Sequence, residues 1–465
     1  MRKYLFYIRL LLGVALLAMM LPASCTRPAD DPVLKDPPVL VGSSPANGEV
    51  NVQIGLSNIT LSFDQNIFCP AAGHSRITFT GSGTAAVAGV SNQLNTLTIS
   101  ISGLEKGHDY KLTVPKGVVT GPTKVEAAEI VINFSTIMGQ QIAAQLCTPN
   151  PSSEAVKLYN YLKQQYGQNI ISGTMAKVAW NIDEAEMVHS ATGKYPAMTT
   201  FDYIFLYASP ANWIDYSQTQ VVENWWANNG IVGACWHWNV PRYEGAGVGI
   251  VTYRPDETTF RPSNATVEGT WENTVVKADF AKIAGYLKLL RDKHIPVVWR
   301  PLHEAAGNIY EYTNGTAWFW WGRDGAAAYR SLWRYMYDYF QSQGLNNLIW
   351  VWTTQTKDSD FYPGNNYVDI IGRDIYNQTN ANDNAAQFDL IAQLYTNKLV
   401  TLSECGNVAK ISDQWNKVAK WSYFMPWYDN DQKTLEGHEH ANTQWWIDAV
   451  SQPFVITRDE MPSLK

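Results

Sequence analysis

Residues 297–304 read VVWRPLHE, a short apolar run that ends in polar and charged side chains. A second run of this kind, VTLSE, occupies residues 400–404. Short apolar runs that are rich in β-branched and aromatic residues predict buried β-strands. Both runs end in a glutamate, so Glu304 and Glu404 are each expected at the end of a strand.

After residue 138 the sequence alternates apolar, β-rich runs with helical segments. The eight candidate strands are Ile170–Thr174, Ala197–Asp202, Ile231–Trp238, Pro296–His303, Leu348–Thr353, Asp369–Tyr376, Leu399–Ser403 and Ser422–Trp427. Helical segments between them include Ser153–Tyr166, Val276–Lys293, Ala326–Gln343 and Asn384–Tyr395. This alternation predicts a (β/α)8 TIM barrel over residues 150–465. Because active sites of such barrels lie at the carboxyl ends of the strands, glutamates on strands 4 and 7 are expected to share one cleft.

The N-terminus has the pattern of an export signal. Residues 1–24 contain a basic start and the apolar run Leu10–Leu21, which is shorter than the roughly 20 residues that span a bilayer. Small residues before Cys25 resemble the lipobox of bacterial lipoproteins, although Pro22 departs from that pattern. The resemblance implies lipidation at Cys25 and an outer-membrane lipoprotein at the cell surface or in the periplasm of a Gram-negative bacterium. An ordinary cleaved secretory signal is the alternative.

A polar tether, residues 25–37, precedes a predicted all-β domain at 38–137. Alternating runs such as Ile59–Phe63, Leu97–Ile101 and Ile130–Phe134 predict short strands of a β-sandwich. The segment resembles the bacterial immunoglobulin-like modules of surface proteins. We expect it to act as a spacer, with glycan binding as the alternative.

The composition excludes several classes of protein. In 465 residues, 42 acidic and 35 basic side chains give a net charge of −7, which offers no electrostatic footprint for nucleic acid. Apolar residues make up 46% and charged residues 17%, which excludes a mostly disordered chain. The cysteines beyond Cys25 are scattered, so neither a disulfide framework nor a metal site is expected, and no cofactor is expected. All 19 tryptophans lie at or after Trp180, within the predicted barrel.

Residues 150–465 resemble glycoside hydrolase family 26, the β-mannanase family. The resemblance is carried by WRPLHE (299–304), WFWWG (318–322), GKYPA (193–197), VDIIGRDIY (368–376) and SECG (403–406). It implies a retaining glycosidase in which Glu304 is the general acid/base and Glu404 the nucleophile. In that class the two carboxyl groups lie about 5–5.5 Å apart. Arg300 is interpreted as an inward structural charge near them.

The resemblance also implies a set of substrate-binding residues: His237, His303, Trp318, Tyr376, Trp427, Trp236 and Asp202. Tyr376 matches a tyrosine that hydrogen-bonds the nucleophile, and the two histidines match residues around the scissile sugar. A structural role in the core is the alternative for His237. Asp202 either binds sugar or braces the barrel. The tryptophans suit sugar because flat indoles stack on its apolar face.

The chain departs from the family pattern in the thirteen-residue segment Ala305–Ala317, where the family has only a few residues. This longer loop leaves the choice between endo and exo action open. Glu311, within it, is a conceivable rival for the acid role, although it is not at a strand end.

We expect a retaining, endo-acting enzyme that cleaves β-1,4-mannosidic linkages in mannan, galactomannan or glucomannan. One alternative keeps the machinery and changes the polymer to mixed-linkage β-glucan or β-1,3-xylan. Another is a surface glycan-binding protein without catalysis.

Overall fold

The computed structural model describes residues 36–136 and 139–465. Its contacts divide the chain into two compact units, with the division between Met138 and Gly139. The predicted leader, Cys25 and nearly all of the tether lie outside the described residues. Within the described ranges, none of the helices combines the length and the hydropathy that crossing a membrane requires.

The first unit is a sandwich of two four-stranded sheets. Its strands are Leu40–Ser44, Glu49–Val52, Asn58–Phe63, Thr78–Thr80, Ala86–Gln93, Thr96–Ser102, Asp109–Val114 and Ile130–Thr136, and one short helix spans Ala71–His74. When the strands are numbered along the chain, their order across one sheet is 1-3-6-5 and across the other 2-8-7-4. Alternate side chains such as Leu97, Ile99 and Ile101 point into the core between the sheets. The predicted immunoglobulin-like sandwich is confirmed.

The second unit is a closed barrel of eight parallel strands. In order around the barrel they are Ile170–Met175, Met198–Asp202, Ile231–Trp236, Val297–Pro301, Leu348–Thr354, Ile370–Tyr376, Leu399–Gly406 and Tyr423–Pro426. The eighth strand pairs with the first, and the first with the second, which closes the ring. Short strands also occur at Val240–Pro241, Val251–Thr252 and Val455–Ile456. The predicted (β/α)8 fold is confirmed.

Helices surround the barrel and bury one face against it. They span Ser153–Gln165, Asp183–Thr192, Gln220–Ala227, Trp271–Asp292, Ala326–Ser342, Ala381–Leu394, Ile411–Asn416 and Thr443–Ser451. Single 3-10 turns lie at Pro255–Glu257, Trp320–Gly322, Ser359–Phe361, Asn365–Tyr367 and Arg458–Glu460. In the longest helix, the Thr270 hydroxyl accepts a hydrogen bond from the Asn273 amide and caps its start. Val276, Phe280 and Ile283 form its buried stripe.

Most tryptophans build the core of the barrel unit. Those that are almost fully buried are Trp225, Trp236, Trp238, Trp299, Trp320, Trp321, Trp333, Trp350, Trp352, Trp421 and Trp446. Trp318, by contrast, has 42% of its surface exposed. The concentration of indoles in this unit therefore reflects packing first, and only a few of them are accessible to a ligand.

Candidate active site

A sharp turn after strand 4 brings Glu304 into the mouth of the barrel. Leu302 and Glu304 adopt left-handed backbone conformations, with φ of 48° and 50°, which non-glycine residues rarely adopt. The Tyr329 hydroxyl donates to the Leu302 carbonyl at 2.9 Å, and the Trp321 indole donates to the His303 carbonyl at 2.8 Å. The aromatic run after the loop and the helix Ala326–Ser342 therefore each hold the turn that presents the glutamate.

Three carboxyl groups meet at the centre of the site. Glu304, Asp374 and Glu404 each place an oxygen within 4.8 Å of the others. Asp374 and Glu404 are paired in register on strands 6 and 7, which explains why their side chains emerge together. Retaining glycosidases separate their two carboxyl groups by about 5–5.5 Å, and inverting ones by about 6.5–9.5 Å. The spacing of Glu304 and Glu404 suits the retaining geometry.

Arg300, from strand 4, compensates much of this negative charge. Its Nη1 donates to Glu404 Oε1 at 2.5 Å, its Nη2 forms an ion pair with Asp374, and its Nε donates to Thr353 Oγ1 at 2.9 Å. The guanidinium is buried, so its rigid fork of donors holds the two carboxylates in fixed positions. Arg300 is thus an inward charge beside the carboxylates, the role that was expected of it.

The surroundings separate the two glutamates electrostatically. Burial, followed by the negative charges of Asp374 and Glu404, raises the pKa of Glu304 well above its usual range. Burial also raises the pKa of Glu404, but Arg300 opposes that rise because it favours the ionised form. Arg300 thus favours the ionised form of Glu404, whereas burial and the two neighbouring negative charges favour the protonated form of Glu304. A proton held on Glu304 and a charge on Glu404 are the states that a general acid and a nucleophile require.

Asp374 was not predicted as a site residue. Its carboxylate bonds to Arg300 and also accepts a hydrogen bond of 2.6 Å from the Ser403 hydroxyl. The signal available in the sequence is the charged pair Arg373–Asp374 near the carboxyl end of a strand that is otherwise apolar. A buried charge within a parallel strand needs a partner, so this pair marks the carboxyl end of strand 6 as functional.

Tyr376 closes strand 6 and contacts Glu404 directly. Its hydroxyl donates to Glu404 Oε2 at 3.1 Å, so the two oxygens of this carboxylate are held by Tyr376 and Arg300. Burial and the neighbouring carboxylates raise the pKa of Tyr376 well above its usual value, which keeps the phenol protonated. The contact is the one that the family resemblance implies.

Two histidines and an aspartate form a hydrogen-bonded chain beside the carboxylates. Asp202 accepts from the His237 backbone amide at 3.1 Å and lies 2.7 Å from His237 Nδ1. The Nε2 atoms of His237 and His303 are 3.2 Å apart. Asp202 is fully buried, which favours the bracing role over direct sugar binding. Burial, then Arg300, lowers the pKa of His303 well below its usual value.

Of the three tryptophans singled out in the sequence, two are accessible at the cleft. Trp427, half-buried after strand 8, has its ring 5.6 Å from that of His237. Trp318 and Glu304 line the same cavity, of about 510 Å³. Trp236 is only 1% exposed and stacks on Trp238 at 4.2 Å. The structure thus places Trp236 in the core rather than on the surface of the cleft, and its sugar-binding role stays a prediction.

The loop Ala305–Ala317 forms one side of this cavity. Exposed Glu311 lines its mouth, whereas Glu304 lies against Asp374 and Glu404 at its inner end. The Tyr310 hydroxyl donates to Asp360, which ties the loop to the segment after strand 5. The geometry thus favours Glu304 over Glu311 for proton donation.

Among the described residues, two groups are close enough to share a metal ion: Asp202 with Cys235 and His237, and the three central carboxyl groups. Asp202 and His237 bond to each other, and Arg300 already supplies positive charge to Asp374 and Glu404. The central carboxyl groups are therefore explained as an acid–nucleophile pair whose negative charge is compensated by Arg300.

Comparisons with known proteins agree with this geometry. The profile of the bacterial Ig-like domain matches residues 35–136, and that of glycosyl hydrolase family 26 matches residues 147–460. Mannan endo-1,4-β-mannosidase B of Piromyces is 33% identical over 68% of this chain and 54% of its own length. A Bacillus subtilis mannan endo-1,4-β-mannosidase is 28% identical over 64% of this chain and 87% of its own. The chain spans about half the length of the Piromyces relatives it matches.

Solved structures give the same result. The family 26 domain of an endo-β-mannanase/endo-β-glucanase from Prevotella bryantii is 40% identical, with a TM-score of 0.65, over 69% of this chain and 99% of that domain. A β-mannanase from a symbiotic protist of the termite Reticulitermes speratus, solved with a gluco-manno-oligosaccharide, is 33% identical, with a TM-score of 0.61, over 70% of this chain and all of that one. The chain belongs to glycosyl hydrolase family 26.

Proposed function

We propose that this protein is a retaining, endo-acting mannanase that cleaves β-1,4-mannosidic linkages in mannan, galactomannan or glucomannan. The observation that carries the proposal is the placement of Glu304 and Glu404, with oxygens within 4.8 Å, at the mouth of a (β/α)8 barrel. The names of the relatives support mannan as the polymer. The exposed indole of Trp318 beside Glu304 supports binding of a sugar chain across the carboxylates.

In the first step, the ionised Glu404 carboxylate attacks the anomeric carbon while Glu304 gives its proton to the glycosidic oxygen. The carbon–oxygen bond to the leaving chain breaks, and a covalent glycosyl–enzyme ester forms on Glu404. Tyr376 and Arg300 hold the two oxygens of the nucleophile in line for this attack.

In the second step, Glu304 acts as a base. Its carboxylate takes a proton from a water molecule, whose oxygen attacks the anomeric carbon and releases Glu404. The product keeps the β configuration, and both glutamates return to their starting protonation states. The negative charges of Asp374 and Glu404, which raise the pKa of Glu304, help the return of its proton.

Hydrolysis of soluble mannan tests the proposal. The wild type is expected to release short manno-oligosaccharides, and Glu404→Gln is expected to keep less than about a hundredth of that rate, since loss of a nucleophile normally costs far more. Glu244→Gln, at an exposed glutamate of the 240–250 segment, is the matched control and is expected to match the wild type. Substantial activity in Glu404→Gln would contradict its role.

The rival polymers are separated by parallel assays. Mixed-linkage β-glucan and β-1,3-xylan are expected to be cleaved much more slowly than mannan. Faster cleavage of either would move the assignment to that polymer. Binding of mannan without any released product would favour a glycan-binding protein.

We also propose that the protein is a lipoprotein anchored to the outer membrane at the cell surface or in the periplasm. The support is the sequence alone, namely the basic and apolar leader and the small residues before Cys25. Cells labelled with a radioactive fatty acid are expected to label the wild type but not Cys25→Ala. Label that survives the substitution would reject the anchor.

A further inference from the structure

The cleft does not end at Trp318. Beyond this indole lies a second cavity, of about 980 Å³, that shares Trp318 as a wall with the cavity containing Glu304. Its other walls are formed by Tyr253, Arg254 and Asp256 on one side and by Thr316 on the other. Because the shared indole is 42% exposed, a substrate chain that reaches it meets open space on both sides.

The walls of this second cavity are held in place by hydrogen bonds. The Tyr253 carbonyl accepts from the Trp320 amide at 2.9 Å, and Arg323 Nη1 donates to the Thr258 carbonyl at 2.6 Å. On the opposite side, Asn308 and Thr316 exchange two hydrogen bonds, of 3.1 and 2.8 Å. A pre-formed site of this kind loses little entropy when a ligand binds.

Close packing within the loop 305–317 adds to this rigidity. A Cβ added at Gly315 would lie 1.9 Å from the Asn308 carbonyl oxygen, and one at Gly307 would lie 2.3 Å from that of Thr316. Only glycine permits such close approach of two backbone segments. The segment 305–317, which is longer than in the family pattern, is therefore a closely packed loop that contributes to the lining of both cavities.

The lining combines hydrogen-bonding groups with aromatic surface, as a sugar requires. Arg254, Arg323 and Asp256 are exposed and line the cavity, so it carries charges of both signs with one positive charge in excess. Together with the Thr316 hydroxyl they offer donors and acceptors for hydroxyl groups. Tyr253 and Trp318 offer aromatic surface for the apolar face of a pyranose ring. The volume lies within the range of ordinary small-molecule sites, about 300–1,000 Å³.

We propose that this cavity binds a hexosyl unit of the substrate beyond the sugar at Trp318. The inference rests on the proposed mannanase function and names a specificity site for it. Two sources supply the same chemistry: the next unit of the main chain, or a galactosyl branch carried by the sugar at Trp318. The loop 305–317 and residues 253–256 provide the contacts.

The test compares three substrates: an aryl β-mannobioside, linear mannohexaose and an α-galactosyl-substituted manno-oligosaccharide. The aryl β-mannobioside carries two sugars and no branch, so it is the short reference substrate for the catalytic centre. Arg254→Ala and Asp256→Ala are each expected to lower kcat/KM by about tenfold on a substrate that fills the cavity and to leave the aryl substrate unchanged. Thr316→Trp, which fills the cavity from the opposite side, is expected to cause the same selective loss.

Loss on mannohexaose identifies the main chain as the occupant, and loss on the galactosylated substrate alone identifies the branch. Arg242→Ala is the matched control, because it breaks an ion pair with Glu257 in the same segment but lies outside the cavity. Variants at Arg254, Asp256 and Thr316 that cleave all three substrates like the wild type would overturn the inference. A wild type that cleaves none of them would instead contradict the proposed function, and with it this site.

Discussion

Replacing Tyr376 by phenylalanine removes one hydroxyl from the active site and keeps the ring that packs there. The lost contact is the 3.1 Å hydrogen bond to Glu404 Oε2. A hydrogen bond to a charged group contributes about 1.5–3 kcal/mol, and this one is longer than the 2.5–2.7 Å typical of a hydroxyl on a carboxylate. We therefore use about 1.5–2 kcal/mol, which corresponds to a rate loss of roughly 10- to 30-fold.

The loss is expected in kcat as well as in kcat/KM, because the bond orients the nucleophile. Removing a donor that stabilises the ionised form also raises the pKa of Glu404, so the acidic limb of the kcat/KM profile on soluble mannan is expected to move to higher pH. Tyr362→Phe is the control, because its hydroxyl bonds to Asn365 at 2.9 Å outside the catalytic cavity. Wild-type kinetics in Tyr376→Phe, or an equal loss in the control, would refute the reasoning.

Three further outcomes follow from the structure. Asp374→Asn removes a charge that raises the pKa of Glu304, so the alkaline limb of the kcat/KM profile is expected to move to lower pH; an unmoved limb would contradict this coupling. Gly406→Ala would place a Cβ 2.4 Å from His440 Nδ1 and 2.7 Å from the Tyr376 ring, so kcat on mannan is expected to fall at least as far as in Tyr376→Phe, with full activity as the contrary result. Leu61→Ala in the sandwich core is expected to lower the free energy of unfolding of that unit by about 2–5 kcal/mol, measured by far-UV circular dichroism. All tryptophans lie in the barrel unit, so the unfolding midpoint measured by tryptophan fluorescence is expected to stay the same, and a shift of that midpoint would contradict this.

The barrel could be predicted because its strands are buried on both faces and form continuous apolar runs. Most predicted strand ends agree with the structure within about two residues, which is enough to place Glu304 at the mouth. Strand 7 continues to Gly406, so Glu404 lies within it rather than at its end. Its last residues remain paired with strand 6, and pairing of that kind depends on a neighbour that a single run of sequence does not reveal.

The sequence was less informative about which side chains lie next to one another in the site and which of them are accessible to a ligand. Asp374 becomes a neighbour of Glu304 and Glu404 only when strands 4, 6 and 7 come together in the barrel. Its place in a sequence motif therefore did not reveal how close it lies to the two glutamates. Trp236 ends strand 3 and Trp318 follows the loop 305–317, and of these two residues of one type the first is core and the second faces the cleft. Which one is accessible depends on strand pleating and on the loop 305–317, and neither follows from composition.

Trapping of the covalent intermediate tests the central claim most directly. A manno-oligosaccharide donor with fluorine at C2 and a reactive leaving group slows breakdown of the glycosyl–enzyme, so that intact-mass and peptide analysis can locate the sugar. We predict one glycosyl unit attached to Glu404 in the wild type and none in Glu404→Gln. A sugar attached to any other residue, or turnover to a product of inverted anomeric configuration without labelling, would contradict the assignment of Glu404 as the nucleophile of a retaining enzyme.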